Sequence, residues 1–301
     1  MAIAGLTLLL MVTACSQEET PEREVRIATG SPTAVYYAIG TALSKIIDAE
    51  LPNTTASVLP TAASAENLEM VAQGRAEIGF TQADVLVTGG EPKPGLVALA
   101  RVYDDLLHLV VRADSKILEL ADLRNKRVSV GARGSGTTVT ADRLLSVAGM
   151  PQAIQRRELS LDDSISALRN REIDAFFFSG GLPVSGIKQV SAEVGTRLVD
   201  LSAWVGELRR VYSDVYVVRD VPMSAYSMTT VATVAVPNLL VVAATMPDDL
   251  AYDLTRLLME RRGALAAAHP AAERLDLRTA IATLPVSLHP GAARYYRSVK
   301  P

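Results

Sequence analysis

The sequence predicts an α/β protein built as two strand-and-helix units that face each other across a cleft. Three observations carry this reading. From residue 24 the chain alternates short apolar strands, small polar turns and amphipathic helices. A second stretch, residues 128–150, repeats the same design. Two apolar runs, at 106–111 and 231–244, suit crossings between the units.

Taken in order, Val25 and Ile27 mark a strand and residues 30–33 a Gly-Ser-Pro-Thr turn. Tyr36, Ile39, Leu43, Ile46 and Ile47 recur at helical spacing. Residues 56–59 read as a strand, 61–65 as a small polar loop, and 66–73 as a helix that packs Leu68, Val71 and Ala72 inward. Gly74 caps that helix, and residues 78–81 form a strand that delivers Gln82 at its carboxyl end. After Pro94-Gly95 a strand at 97–102 precedes the apolar run 106–111. Residues 164–169 read as a helix and 173–178 as a buried strand, ended by the flexible turn Ser179-Gly180-Gly181. Pro247-Asp248-Asp249 opens a helix over 250–260, with proline and acids at its positive end.

Residues 128–150 are the most informative stretch. Val128 and Val130 alternate with Ser129; Gly131, Gly134 and Gly136 loosen the chain; Ala141, Leu144, Leu145 and Ala148 then form a helix face, with Asp142, Arg143 and Ser146 free to meet water. The first N–H groups of a helix lack intrahelical partners, so this turn offers free donors beside Ser135 and Thr137 and suits a small anion. Sharper motifs fail by inspection. Thr137 stands where a phosphate-binding P-loop needs lysine, Val139 where a dinucleotide fingerprint needs its third glycine, and Arg133 where a nucleophile elbow needs glycine. A glycine turn that merely starts a helix remains the plain alternative.

Ligands of open α/β sheets collect at the carboxyl ends of strands. That rule places Ser31, Thr33, Ser64 and Gln82 on one wall of the cleft and Ser135 and Thr137 on the other, with the donor-rich turn Gly180-Gly181 closing a further strand.

Composition narrows the function. The 30 Lys and Arg against 33 Asp and Glu give a formal net charge of −3, and the basic pairs at 156–157, 209–210 and 261–262 are scattered without aromatic residues between them, which argues against a nucleic-acid partner. Cys15 is the single cysteine, so no internal disulfide can form and a paired-cysteine metal site is excluded. His108, His269 and His289 lack partners at metal spacing and read as structural; no metal or cofactor is expected. Asp162-Asp163 and Asp248-Asp249 read as helix-start residues, Trp204 as core packing, and Tyr295-Tyr296 as an anchor for the C-terminal segment. The cleft candidates include no His, Cys or Lys, which disfavours an enzyme.

The apolar run 5–14 is too short to span a bilayer, and it ends in Val12-Thr13-Ala14-Cys15. This is similar to a bacterial lipobox, although no Lys or Arg precedes the apolar run. The similarity implies a lipoprotein signal peptide at 1–14, a lipid on Cys15 that holds the protein to a membrane, and a flexible tether at 15–24.

Larger motifs also resemble a family. Ile27-Ala28-Thr29-Gly30-Ser31 with Val35-Tyr36-Tyr37, Ser64-Ala65-Glu66-Asn67-Leu68 and Gly74-Arg75-Ala76-Glu77-Ile78 are similar to segments of the solute-binding subunits of TAXI-type TRAP transporters. So are residues 130–137, Ile173-Asp174-Ala175-Phe176-Phe177 with Gly180-Gly181, and the tail segments 268–272 and 288–292. The resemblance implies a two-lobed periplasmic-binding-protein fold, type II-like, with the ligand cleft between lobe 1 (25–106 and 245–301) and lobe 2 (107–244). It further implies capture of a small organic anion, such as glutamate, 2-oxoglutarate or a dicarboxylate, for TRAP membrane permease subunits. By family position the contacts are Ser31, Thr33, Tyr36, Ser64, Asn67, Gln82, Ser135, Gly136 and Thr137, with Gly180 and Gly181 beside them. N–H and hydroxyl groups would hold the carboxylate, Gln82 or Asn67 would read a second polar group, and Tyr36 would cover the carbon skeleton. The chain departs from the family pattern at Pro32 and Ala34, which stiffens the first turn. A ligand-sensing subunit for a membrane receptor would share all these residues.

Overall fold

The computed structural model describes residues 23–300. The expected signal peptide, Cys15 and most of the expected tether lie outside these residues. The two final tether positions do not: strand β1 (Arg23–Ala28) already begins at Arg23.

The first unit follows the predicted alternation. β1 leads through a turn into α1 (Val35–Glu50), then β2 (Thr54–Leu59), α2 (Ser64–Ala72) and β3 (Ile78–Gln82). Helix α1 forms because Tyr36, Ile39, Leu43 and Ile47 make one apolar stripe, and all four are buried on the sheet. Each such aliphatic side chain contributes roughly 1.5–3 kcal/mol by leaving water. Both β2 and β3 pair with β1 in parallel. A small hairpin of β4 (Val87–Thr88) and β5 (Glu91–Pro92) follows.

The two apolar runs at 97–102 and 106–111 are one strand, β6 (Leu96–Arg112), unbroken across Asp104 and Asp105. The second unit then supplies β7 (Arg127–Ser129), α3 (Gly136–Val147), β8 (Gln155–Arg157), α4 (Leu161–Arg169), β9 (Ala175–Gly180), α5 (Ser185–Val194) and β10 (Thr196–Leu198). Helix α6 (Val205–Val211), β11 (Val217–Val221) and α7 (Met223–Tyr226) lead to the return strand β12 (Val231–Ala243). Helices α8 (Asp248–Glu260), α9 (Arg262–Ala268), α10 (Leu277–Ala280) and α11 (Pro290–Ser298) complete the fold.

All the long strands join one sheet in the order β2-β1-β3-β12-β6-β9-β7-β8, with β10 on β6 and β11 on β12. Each outer part is parallel, as the alternation predicts, but the centre is not. β12 runs antiparallel to both β3 and β6, and β6 antiparallel to β9. The long pair β6–β12 therefore threads both halves of the sheet, and both strands are buried along almost their full length, which explains their unbroken apolar sequence. The ladder between them shifts register at Asn238/Leu239 and again at Leu240/Val241.

Arg143 corrects one sequence expectation. Its guanidinium does not face water; it donates to the carbonyls of Asp84 (2.9 Å) and Val87 (2.9 Å) and to Tyr216 Oη (3.0 Å). Asp84 itself is fully buried and accepts from Thr140 Oγ1 (2.8 Å) and Tyr216 Oη (3.0 Å). Burial raises its carboxyl pKa, with Arg143 pulling it back. This network ties the end of β3 to α3, from one half of the sheet to the other.

The histidines serve local structure. His269 Nδ1 accepts from the N–H of Ala271, and His289 Nδ1 from the N–H of Gly291, each capping a turn that starts with proline (both 3.1 Å). Buried His108 bridges the Phe178 carbonyl and Tyr226 Oη, and burial pushes its pKa down to about 4. Asp162 and Asp163 occupy the first turn of α4, where Ser160 accepts from the N–H of Asp163. Trp204 is half-buried against the largest apolar core, and Tyr295 and Tyr296 fill the core of the first half, with Tyr296 Oη donating to the Leu99 carbonyl at 3.2 Å.

Candidate functional site

The turn before α3 folds as it does because two glycines and a serine allow it. Gly131 has φ +97°, and a Cβ there would come within 2.7 Å of Thr137 Cγ2. Ser135 caps the helix, its Oγ accepting from the N–H of Thr138 at 3.2 Å, a contact worth about 1 kcal/mol. The N–H groups of Gly136 and Thr137 precede any carbonyl that the helix could offer them. Both residues line a cavity of about 260 Å³ between the two halves of the sheet.

This cavity gathers nine of the eleven expected contacts: Ser31, Thr33, Tyr36, Ser64, Gln82, Ser135, Gly136, Thr137 and Gly180. Ser31 and Thr33 hydrogen-bond each other at the rim (3.1 Å). Tyr36 stacks on Phe80 with ring centroids 5.2 Å apart, and its hydroxyl donates to Asn238 Oδ1. Ser64, the first residue of α2, accepts from the N–H of Gln82 at 3.2 Å. Thr137 Oγ1 accepts from the N–H of Ser179 at 3.0 Å, so its own hydrogen remains to be given. Gln82 donates from Nε2 to Asp105 Oδ2 (3.1 Å) and to Ser179 Oγ.

Two expected contacts fall elsewhere. Asn67 is fully buried beneath the cavity, donating to the carbonyls of Thr29 and Phe80 and accepting from Thr61 Oγ1, so its amide locks α2 onto the sheet. Gly181 turns to a second, larger groove beside Arg101, Asp104 and Arg219. Successive residues of an extended chain point to opposite faces, which separates Gly180 from Gly181.

The same alternation hid residues that sequence reasoning missed. Asp104 lies on the groove side, paired with Arg101 (2.5 Å) and Arg219 (3.4 Å), while Asp105 lines the cavity. Burial pushes the Asp105 carboxyl up to about 7; the amides of Asn238 and Gln82 pull it down, and Asp104 and Asp84 add like charge. Tyr103, Phe177, Phe178, Ser160 and Asp162 complete much of the wall. Ala63 also lines it, held at φ +81°, ψ −143°, a backbone region that suits glycine. A signal for Asp105 was present: an Asp-Asp pair between two closely spaced apolar runs.

The halves touch across this cavity through the Ala65 N–H to the Gly134 carbonyl (3.2 Å), Thr33 Oγ1 to Asp162 (3.5 Å), and the Gln82–Ser179 contact. Among the described residues, no Lys, Arg or His lines the cavity, no cluster of three acidic, Cys or His residues is placed to hold a metal, and no helix is long and apolar enough to cross a membrane.

Two sheet halves threaded by a pair of long strands, with a cavity between them, define the two-lobed periplasmic-binding-protein fold. The periplasmic aliphatic sulphonate binding protein SsuA from Escherichia coli has it, with TM-score 0.54 at 16% identity over 93% of this chain and 84% of that one. So do a putative L-cystine ABC transporter protein from Listeria monocytogenes (TM-score 0.53, 13% identity, 82% and 94% covered) and the GluR0 ligand-binding core in complex with L-glutamate (0.52, 14%, 85% and 98%). The chain belongs to the NMT1-like family, whose model matches residues 27–299.

Proposed function

We propose that this protein is an extracytoplasmic solute-binding protein that captures a small organic anion and delivers it to a TRAP-type secondary transporter. One observation carries the reading: residues from both halves converge on a single cavity whose wall includes Gly136 and Thr137, the first two residues of α3. A carboxylate seated there would be held by the N–H groups of Gly136 and Thr137 and by neighbouring hydroxyls, with the helix dipole supplying the favourable charge that no side chain provides. A ligand that touches both halves stabilises the closed form selectively, the difference that a permease can recognise. Lobe 1 then comprises 25–106 and 245–301, lobe 2 comprises 107–244, and β6 with β12 forms the hinge crossings. TRAP delivery, and membrane attachment through a lipid on Cys15, rest on the sequence resemblances. A binding role rather than catalysis is supported by the serines: Ser64, Ser135 and Ser179 each hold a structural hydrogen bond, and none is paired with a base.

The test is thermal unfolding of protein stripped of ligand by reversible denaturation, against glutamate, 2-oxoglutarate, dicarboxylates and neutral analogues. A ligand at about a hundred times its dissociation constant adds roughly 2.7 kcal/mol. Stabilisation by a carboxylate is expected. A response to neutral solutes alone would overturn the anion assignment, and no response to a broad panel would overturn the binding role. Uptake by vesicles carrying the permease subunits, with and without this protein, tests delivery.

A further inference from the structure

Around the cavity floor, two buried acceptors and one buried donor have no hydrogen-bond partner: Asp105 Oδ1, Gln82 Oε1, and Asn238 Nδ2, whose amide faces Asp105. Asp105 is 4% exposed and Gln82 1%, and both line the cavity. Leaving buried acceptors unpaired is costly, and such groups survive where a ligand completes them. The charge around the cavity is one-sided: Asp105 lines its buried floor and the exposed Asp162 its rim, and no cationic side chain lines it. A second carboxylate of a ligand would meet like charge here, whereas an N–H hydrogen would meet the unpaired oxygen of Asp105.

We propose that Asp105, with Gln82 beside it, is a specificity-determining subsite that selects solutes carrying an N–H donor group, an ammonium or a primary amide, in addition to their acid group. This rests on the reading of the cavity as the ligand site and narrows it: 2-oxoglutarate and simple dicarboxylates become poor ligands. The Gln82 side chain spans both subsites, because Nε2 donates to Asp105 while Oε1 lies against Gly136 at the start of α3. The acid and the N–H group of the ligand are therefore close neighbours on a short skeleton.

The experiment compares matched pairs, each amino acid against the same acid with hydrogen in place of the amino group, by calorimetric titration of wild type and Asp105→Asn. The wild type is expected to prefer the N–H member by at least about 30-fold, the size of a hydrogen bond to a charged group, and Asp105→Asn to lose most of that preference. Equal binding of both members by the wild type, or a preference intact in Asp105→Asn, overturns the proposal. A second measurement needs no ligand. If Asp105 is kept for a ligand, ligand-free Asp105→Asn melts at or above the wild-type temperature at pH 8; a lower melting temperature, or failure to fold, makes the carboxylate structural and overturns the proposal. Should neither series bind the wild type, the broader reading of the cavity fails, and the melting comparison still decides whether Asp105 is structural.

Discussion

The side-chain carbonyl of Gln82 rests directly on Gly136, so closely that a Cβ at Gly136 would stand 1.7 Å from Oε1 and 2.5 Å from Cδ. The glycine matters here for the space it leaves and not for its backbone angles, since Gly136 is absent from the positive-φ glycines. Gly136→Ala must push Gln82 out of its place between Asp105 and Ser179. Alanine suits a helix better than glycine by up to about 1 kcal/mol, so the variant should fold. Ligand affinity should drop at least about tenfold, the loss of one hydrogen bond of roughly 1.4 kcal/mol, read by titration or by a lost thermal shift.

Stability should carry a pH signature of Asp105. Its carboxyl is raised from 3.8 to about 7, so between those values the folded protein binds a proton that the unfolded chain has released. Stability from this group is therefore full below pH 3.8 and falls as pH rises to about 7, with a slope of up to roughly 1.4 kcal/mol per pH unit. His108 acts in the opposite sense, because its pKa is lowered from 6.5 to about 4 and acid favours the unfolded chain. The two nearly cancel in the wild type. The difference in unfolding free energy between wild type and Asp105→Asn removes the histidine contribution, and it should shift steadily against the wild type across this window. A flat difference would contradict it.

Ala63 sits at φ +81°, ψ −143° just before α2, where a Cβ is strained. Ala63→Gly should stabilise the protein by about 1 kcal/mol, seen as a higher denaturant midpoint with an unchanged slope.

Arg143 satisfies two carbonyls and a tyrosine hydroxyl beside the buried Asp84. Arg143→Ala should cost about 3 kcal/mol or more, since it strands a buried carboxylate along with its neighbours. Chemical denaturation measures this directly, and a loss below about 1 kcal/mol would show that Asp84 does not depend on the arginine.

Much of this architecture was legible because its elements obey simple periods. The stripe Tyr36, Ile39, Leu43, Ile47 and the alternation of Val25 and Ile27 specify their elements locally. The start of α3 was legible too, since glycine spacing and a capping serine act within a few residues. What stayed hidden depends on contacts distant in sequence. Asp105 looks like a solvated break between two apolar runs until β12 and β9 flank its strand. Asn67 looks like a ligand contact until Thr29 and Phe80 claim both hydrogens of its amide. Arg143 falls on the polar side of its helix by period alone, yet that side faces Asp84 from the other half.

The double crossing by β6 and β12 also fixes an order of events during synthesis. The first half of the sheet takes β12 residues 238–241 against β3, and its core takes Tyr295 and Tyr296 from α11. Residues 287–289 further pin it through the Ala98 N–H to the Ser287 carbonyl and the His289 N–H to the Ala98 carbonyl (both 2.9 Å). A ribosome makes these pieces only after the whole second half has emerged. The half that begins first is therefore finished last, and until α11 arrives the nascent chain exposes the apolar bed that those tyrosines will cover.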